Sequence, residues 1–195
     1  MSKLTLREDW TAGIGGGLWS TGVAMAKYFE EPAVISRLSG KRCLELGSGN
    51  GYLSAVLASL VPDCKVTVTD TEEHMNLMKK TIQDNKEFIE NCDERVEVKV
   101  LMWGEEGGER DEYDFIFGTD VAYRDYLHNP LIDALQASMG SKSTALIGVC
   151  MHDTTVTFFE KLEARGFVYE RLRDEIIPEK FRGVIFGLFA IERRY

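Results

Sequence analysis

A short strand runs straight into a cluster of glycines. Residues Arg42–Leu46 (Arg-Cys-Leu-Glu-Leu) read as a buried strand, and Gly47-Ser48-Gly49-Asn50-Gly51 follows without a break. Tyr52–Val61 is then an apolar helix stopped by Pro62. Strand, glycine turn and helix form the opening unit of a wound α/β sheet, because glycine allows a tight turn and close approach of backbone to a ligand. The rest of the chain keeps the alternation. Lys65–Thr69 is β-branched and reads as a strand. Glu72–Asn91 reads as one long helix with Met75, Met78, Ile82 and Ile89 on its apolar stripe, a core-packing pattern. Arg95–Leu101 and Asp114–Thr119 are the next strands, and Leu131–Met139 is a helix begun by Pro130 and followed by Gly140. Thr144–Cys150 is a strand, and Val156–Arg165 is a helix closed by Gly166.

Phe167–Arg173 and Val184–Glu192 are the last two strands. Only a turn around Pro178 separates them, so they should pair antiparallel. The count is seven strands, five in β-α order and then a terminal antiparallel pair. The expected fold is therefore α/β: a Rossmann-like, mostly parallel seven-stranded sheet with helices on both faces. At 195 residues one domain suffices, with 1–38 as a helical cover and 39–195 as the core. In such sheets the ligand sits beyond the carboxyl ends of the strands, near the switch in strand order.

Charge and cysteine usage narrow the partners. The formal net charge is −9, and no run of Lys or Arg exceeds two, which argues against nucleic acid and leaves room for a basic partner. Cys43, Cys64, Cys92 and Cys150 are scattered, without a Cys-x-x-Cys pair or a histidine at zinc spacing. They fit a reducing compartment, with Cys43 and Cys150 as core residues. The first residues carry no apolar signal core, and no stretch approaches the ~20 apolar residues that span a bilayer. A cytoplasmic or nuclear monomer without membrane contact and without an appended recognition domain is the expectation. His74, His128 and His152 have no partner at ligand spacing and read as surface or capping residues; His152-Asp153, after the fifth strand, is the one of interest.

The glycine loop excludes several ligands. An NAD loop needs Gly-x-Gly-x-x-Gly or Ala; Tyr52 or Ser54, depending on register, stands at the last position. A phosphate loop needs Gly-Lys-Ser/Thr, which is absent, and a hydrolase elbow is excluded by Leu46 and Asn50 around Ser48. Glu45, just ahead of the loop, disfavours phosphate and suits a cation. S-adenosylmethionine carries a sulfonium and an ammonium and no phosphate. Asp70 lies 21 residues past Gly49, near the offset at which a carboxylate meets ribose hydroxyls. Asp70 could equally cap the helix that follows it. At the end of the fourth strand, Gly-Thr-Asp-Val-Ala-Tyr (118–123) puts Asp120 and Tyr123 where the ligand crevice should be; a turn cap and a packing ring are the structural alternatives.

Glu-Leu-Gly-Ser-Gly-Asn-Gly (45–51) resembles motif I of the seven-β-strand, class I, S-adenosylmethionine-dependent methyltransferases. Four further stretches narrow the likeness: Gly-Gly-Leu-Trp-Ser (16–20) ahead of Met25-Ala26-Lys27-Tyr28, Val-Thr-Val-Thr-Asp (66–70), Leu-Met-Trp-Gly (101–104) and Asp-Val-Ala-Tyr (120–123). Together, from about residue 10 to the end, they are similar to the Asp-x-x-Tyr protein lysine methyltransferases, the methyltransferase-like 21 kind. The resemblance implies S-adenosyl-L-methionine as cofactor and a protein with an accessible lysine as partner. It implies that Trp19 lies over the cofactor. Gly47, Ser48 and Gly49 lie against its methionyl part, Asp70 at the ribose and Trp103 near the adenine. Thr119 stands where the family more often has alanine, and Tyr52 is bulkier than the usual leucine.

The same resemblance makes Asp120 and Tyr123 the catalytic pair. Methyl transfer is an in-line displacement, and the lysine amine, with a pKa near ~10.4, must lose a proton and be oriented. Asp120 would accept hydrogen bonds from it, chiefly as an orienting group, and Tyr123 would offer its ring face or its phenol. Nucleic-acid adenine methyltransferases carry Asp-Pro-Pro-Tyr here; Val121 and Ala122 replace the prolines, so the loop is built differently. Two other functions stay open: the same chemistry on arginine, a nucleobase or a small amine, and a cofactor-binding protein that acts by interaction without turnover. Substrate choice is expected from Thr11–Gly17, Trp103–Glu112 and the stretch around Pro178–Gly183.

Overall fold

The computed structural model describes residues 4–104, 112–173, 175, 179–183 and 185–194. Seven strands form one sheet: β1 (Arg42–Leu46), β2 (Lys65–Asp70), β3 (Val96–Val100), β4 (Tyr113–Thr119), β5 (Met139–Cys150), β6 (Phe167–Arg171) and β7 (Phe186–Arg193). The order is β3-β2-β1-β4-β5-β7-β6. The first five strands run parallel, and β7 pairs antiparallel with both β5 and β6. The expected fold and the terminal antiparallel pair are thus both present. Val184, the expected start of the last strand, and 105–111 and 176–178, within two of the expected substrate loops, lie outside the described residues.

Alternation along β4 makes the layers. Phe115 and Phe117 point to one face, where they pack with Met25 and Phe29 of α1 (Ser20–Phe29), Leu57 of α3 (Tyr52–Leu60) and Met78 of α4 (Met75–Asp84). Phe29 meets Phe117 edge to face at 5.4 Å. Ile116 points to the other face, with Leu131 and Leu135 of α6 (Asp125–Ser138) and Phe158 of α7 (Val156–Ala164). Strand side chains alternate between faces, so a strand buried on both sides reads as a continuous apolar run. The short helices α2 (Pro32–Leu38) and α5 (Cys92–Arg95) complete the set.

Two helices differ from expectation. The long helix over 72–91 is broken into a 3₁₀ turn at Glu72–His74, α4, and another 3₁₀ turn at Lys86–Phe88. Asn85 stops it. Fully buried, it bonds the N-terminal segment through Thr5 N (2.7 Å) and Thr5 O (2.9 Å), and also the Thr81 carbonyl (2.8 Å). Asn91 then takes φ 50, which no helix continues. The stripe survives the break, with Met78, Ile82 and Ile89 buried. In the other direction, α6 starts at Asp125 and carries Pro130 inside it. The hydrogen bond forgone there is to the carbonyl of Tyr126, in the exposed first turn where water can replace it.

Candidate functional site

β1 has β2 on one side and β4 on the other, and the chain leaves β1 and β4 toward opposite faces of the sheet, into α3 and α6. Such a divergence opens a crevice at the carboxyl ends of the strands. One flank is the glycine loop. Gly47, Gly49 and Gly51 all have positive φ, at 65°, 63° and 79°. A Cβ on Gly47 would lie 2.6 Å from Val121 Cγ1 and 3.2 Å from the ring of Trp103. On Gly49 it would lie 2.1 Å from the carbonyl oxygen of Gly15. The loop is therefore pressed between the β4 turn and an N-terminal flap, residues 9–17, which Asp9 N closes on Gly16 O at 2.9 Å. Ser48 N donates to Thr69 O at 3.0 Å, and Thr69 Oγ1 to Glu45 O at 2.5 Å, tying the loop to β2.

Two carboxylates frame this flank and behave differently. Glu45 is 2% exposed and accepts from the hydroxyls of Ser48 (2.7 Å) and Ser54. Burial outweighs those bonds and pushes its carboxyl up to about 7. Asp70, also mostly buried, accepts from Gly49 N (2.7 Å) and Thr71 N (2.7 Å) and lies 3.0 Å from His74 Nδ1. Burial works to raise it, yet His74 and the two backbone donors prevail and hold it below the usual carboxylate range. His74 is thus a partner of Asp70 rather than a surface residue. Asp70 caps the turn and braces the glycine loop at once, with lone pairs to spare.

The other flank follows β4. Asp120 has φ 54, a sparsely populated left-handed conformation that most side chains avoid and that aspartate tolerates better than most. Its N–H donates to Gly148 O at 2.8 Å, and its carboxyl accepts from the hydroxyl of Thr21 and from the Cys150 N–H. Burial, with a smaller contribution from the charge of Asp153, pushes this carboxyl up to about 7. Tyr123 is half-buried, with the Arg124 guanidinium 5.6 Å from its ring centroid, and burial raises its phenol. Thr119 faces α1; its Oγ1 is 3.5 Å from where a Cβ on Gly22 would be. Trp19 stands at the N-cap of α1, 43% exposed, edge-on to Trp10 at 6.0 Å, its Nε1–H on Ile14 O at 3.1 Å.

All ten candidate residues lie at the carboxyl end of the sheet or, for Trp19, at the start of the helix that carries Thr21. Several partners were not read from the sequence. Thr21, 1% exposed, is an ordinary helix residue by pattern. Gly15 could have been suspected from the Gly15-Gly16-Gly17 run. His128 is fully buried and donates from Nε2 to Ala122 O at 3.1 Å, which corrects its reading as a surface or capping residue.

The residues present fit S-adenosylmethionine. Trp103 Nε1, beside the loop, and Asn50 Nδ2, within it, are buried with no partner among the described residues, donors that a bound polar group would satisfy. Three left-handed glycines let the loop turn tightly against Val121, Trp103, Gly15 and Met78, so that backbone rather than side chain lines it. The flanking charges are carboxylates, suited to cationic and hydroxyl groups. Among the described residues no cluster of histidine, cysteine, aspartate or glutamate could hold a metal.

A family model described as lysine methyltransferase matches residues 1–165. The protein N-lysine methyltransferase METTL21A of Xenopus tropicalis is 27% identical over 146 residues, which span 74% of this chain and 65% of that protein. The EEF1A lysine methyltransferase 3 of the same organism is 28% identical over 181 residues, 90% of this chain and 77% of the relative. Among solved structures, the ribosomal protein L11 methylase of Lactobacillus delbrueckii subsp. bulgaricus superposes with a TM-score of 0.62 at 16% identity, covering 89% and 77% of the two chains.

Proposed function

The chain belongs to the lysine methyltransferase family and is an S-adenosylmethionine-dependent methyltransferase whose acceptor is a protein lysine, and we propose that Asp120 and Tyr123 hold that amine across the crevice from the glycine loop. The observation that carries this reading is Asp120 itself. It is a largely buried carboxyl in a strained conformation at the end of β4, braced from α1 and β5. A plain turn cap needs neither the burial nor the strain, and residues kept in sparsely populated conformations cluster at functional sites.

S-adenosylmethionine, when bound, supplies an electrophilic methyl on a sulfonium. Gly47, Ser48 and Gly49 offer backbone for the methionyl part, and Glu45 lies below them as a counter-charge. Asp70 has lone pairs left for ribose hydroxyls, Trp103 brings its ring and its free N–H, and Trp19 and Thr119 border the mouth. On the other flank Asp120 accepts a hydrogen bond from the lysine amine. With its carboxyl poised at about 7, it is ionised often enough to attract the incoming ammonium and basic enough to receive a proton. The Tyr123 ring presents a π face to the same cation. Holding nucleophile and methyl in line can supply roughly 7–11 kcal/mol of the barrier in favourable cases.

The protein partner is proposed to be basic around the target lysine, given the net charge of −9, and nucleic acid is not proposed. One relative is named for EEF1A, and EEF1A is a reasonable first substrate to try. A cytoplasmic or nuclear setting is part of the proposal, supported by four free cysteines, and so is a monomeric state. The test uses methyl-labelled cofactor and host-cell lysate, followed by acid hydrolysis of the labelled product. Label in N-methyl-lysine, lost on protease treatment, is expected. Label in methylarginine, or label removed by nuclease and not by protease, overturns the reading.

A further inference from the structure

We propose that His128 is the positioning residue of the acceptor site, holding the Asp120–Tyr123 loop in its strained shape through the carbonyl of Ala122. This rests on the reading of Asp120 as the amine-holding group. His128 is the fourth residue of α6 and is 0% exposed. Its Nε2 is 3.1 Å from Ala122 O. A carbonyl only accepts, so Nε2 carries the proton and the ring is held in one tautomer. The other side of the ring packs on Phe158, centroids 5.3 Å apart, and Nδ1 is buried without a hydrogen-bond partner among the described residues. Asp125 Oδ1, at 3.9 Å from Nε2, is too far to compete for the proton.

The choice of residue is what makes the bond informative. His128 packs here on Phe158 of α7, in a buried cluster that also holds Phe159 and α6's own Leu131 and Ile132, and a leucine would suit that apolar surrounding without stranding a nitrogen. A buried polar atom with no partner is unfavourable, so histidine has to be offset by what its other nitrogen does. What Nε2 holds is the middle of a four-residue loop whose first residue, Asp120, sits at φ 54. Gly148 O holds the start of the loop through the Asp120 N–H, and Thr21 holds the carboxyl. Val121 and Ala122 are buried but apolar, and His128 is the side chain that bonds their stretch of backbone. With that bond removed, the left-handed turn can relax, and the carboxyl and the Tyr123 ring move relative to the methyl donor.

The experiment compares two cofactor analogues by calorimetry. S-adenosylhomocysteine reports the cofactor flank. Sinefungin carries an amine where the cofactor carries its methyl, and so also reports Asp120. For His128→Leu, sinefungin affinity should fall about tenfold while S-adenosylhomocysteine affinity stays within twofold. The melting temperature should move little, because the stranded Nδ1 is removed as the Ala122 carbonyl loses its donor. His128→Gln, whose amide nitrogen falls near the place of Nε2, should restore sinefungin binding to within about threefold of the parent. Unchanged sinefungin binding in His128→Leu, an equal loss for both analogues, or no recovery with glutamine overturns the proposal. Asp120→Asn runs alongside. If it weakens sinefungin and His128→Leu does not, only the role of His128 fails; if Asp120→Asn has no effect, the reading of Asp120 fails and the proposal with it.

Discussion

The two flanks of the crevice are built by different means. The flank proposed for the cofactor is mostly local: three glycines, a serine and the carboxylates at the ends of adjacent strands β1 and β2 tie it together through loop N–H groups, Gly49 N to the Asp70 carboxylate and Ser48 N to Thr69 O. The flank proposed for the acceptor is long-range. Asp120 depends on Thr21, 99 residues earlier, on Gly148 in β5, and on the α6 turn that carries His128. A flank made of backbone can take in one cofactor with little tuning. A flank made of converging side chains can be re-aimed one residue at a time, which suits the half that must select a substrate.

Asp120→Asn should break the comparison most sharply. It keeps the shape and removes the charge, and the acceptor amine becomes more positive toward the transition state. Losing that partner should cost about 2–4 kcal/mol of transition-state stabilisation. The methylation rate should fall roughly 30- to 1,000-fold at ~1.36 kcal/mol per decade, with S-adenosylhomocysteine affinity within about twofold of the parent. A folded variant with the original rate would make Asp120 a mere cap.

Gly49→Ala attacks the other flank. The left-handed φ costs about 1–2 kcal/mol for alanine, and the new Cβ must also displace the Gly15 carbonyl. Cofactor affinity should drop roughly 30- to 150-fold, about 2–3 kcal/mol at 1.36 per decade. The melting temperature should fall several degrees at roughly 2–4 °C per kcal/mol for this size. Calorimetry and a melt measure both; parental affinity would show that the flap yields freely.

Thr21→Val tests the reach between elements. It removes the hydroxyl that Asp120 accepts while keeping the shape. A hydrogen bond to a charged group is worth about 1.5–3 kcal/mol, and we expect a rate loss of about tenfold without a change in cofactor affinity. If the rate holds, the α1 tie does not orient the carboxyl.

The smallest effect is a pH dependence of stability shared by both flanks. Glu45 and Asp120 have folded-state values raised to about 7 from ordinary carboxylate values. The folded protein therefore binds more protons than the unfolded one between those limits. Their contribution is present below the unfolded value and is lost as pH rises through about 7. Between pH 6 and 8 the loss should be about 1 kcal/mol per group, seen as a lower melting temperature at pH 8. Glu45→Gln and Asp120→Asn should each flatten the slope; a steeper fall on acidification toward pH 6 would contradict the assignment.

The fold was legible because its signals are local. Strand, glycine turn and helix follow one another within 42–61, and the missing helix between the last two strands announced an antiparallel pair. Where the reading failed, the surroundings of a residue decided, not its neighbours in sequence. Asn85 ends α4 to bind Thr5, and Pro130 is tolerated inside α6 because its missing bond faces solvent. The same holds in the site. Gly47, Gly49, Asp70 and Asp120 stood out by type and spacing, while Thr21, His74 and His128 carried no pattern that marked them.

By itself the sequence determined the α/β winding, the seven strands, the glycine loop and the acids at the strand ends, since periodicity and turn chemistry act over a few residues. Only the tertiary structure decided how those acids behave. Glu45 and Asp70 are both carboxylates at strand ends. One is raised to about 7 by burial against two hydroxyls, and the other is held low by a histidine and two backbone donors. Desolvation and hydrogen bonding are set by everything packed around a group, and no stretch of neighbouring residues contains that information.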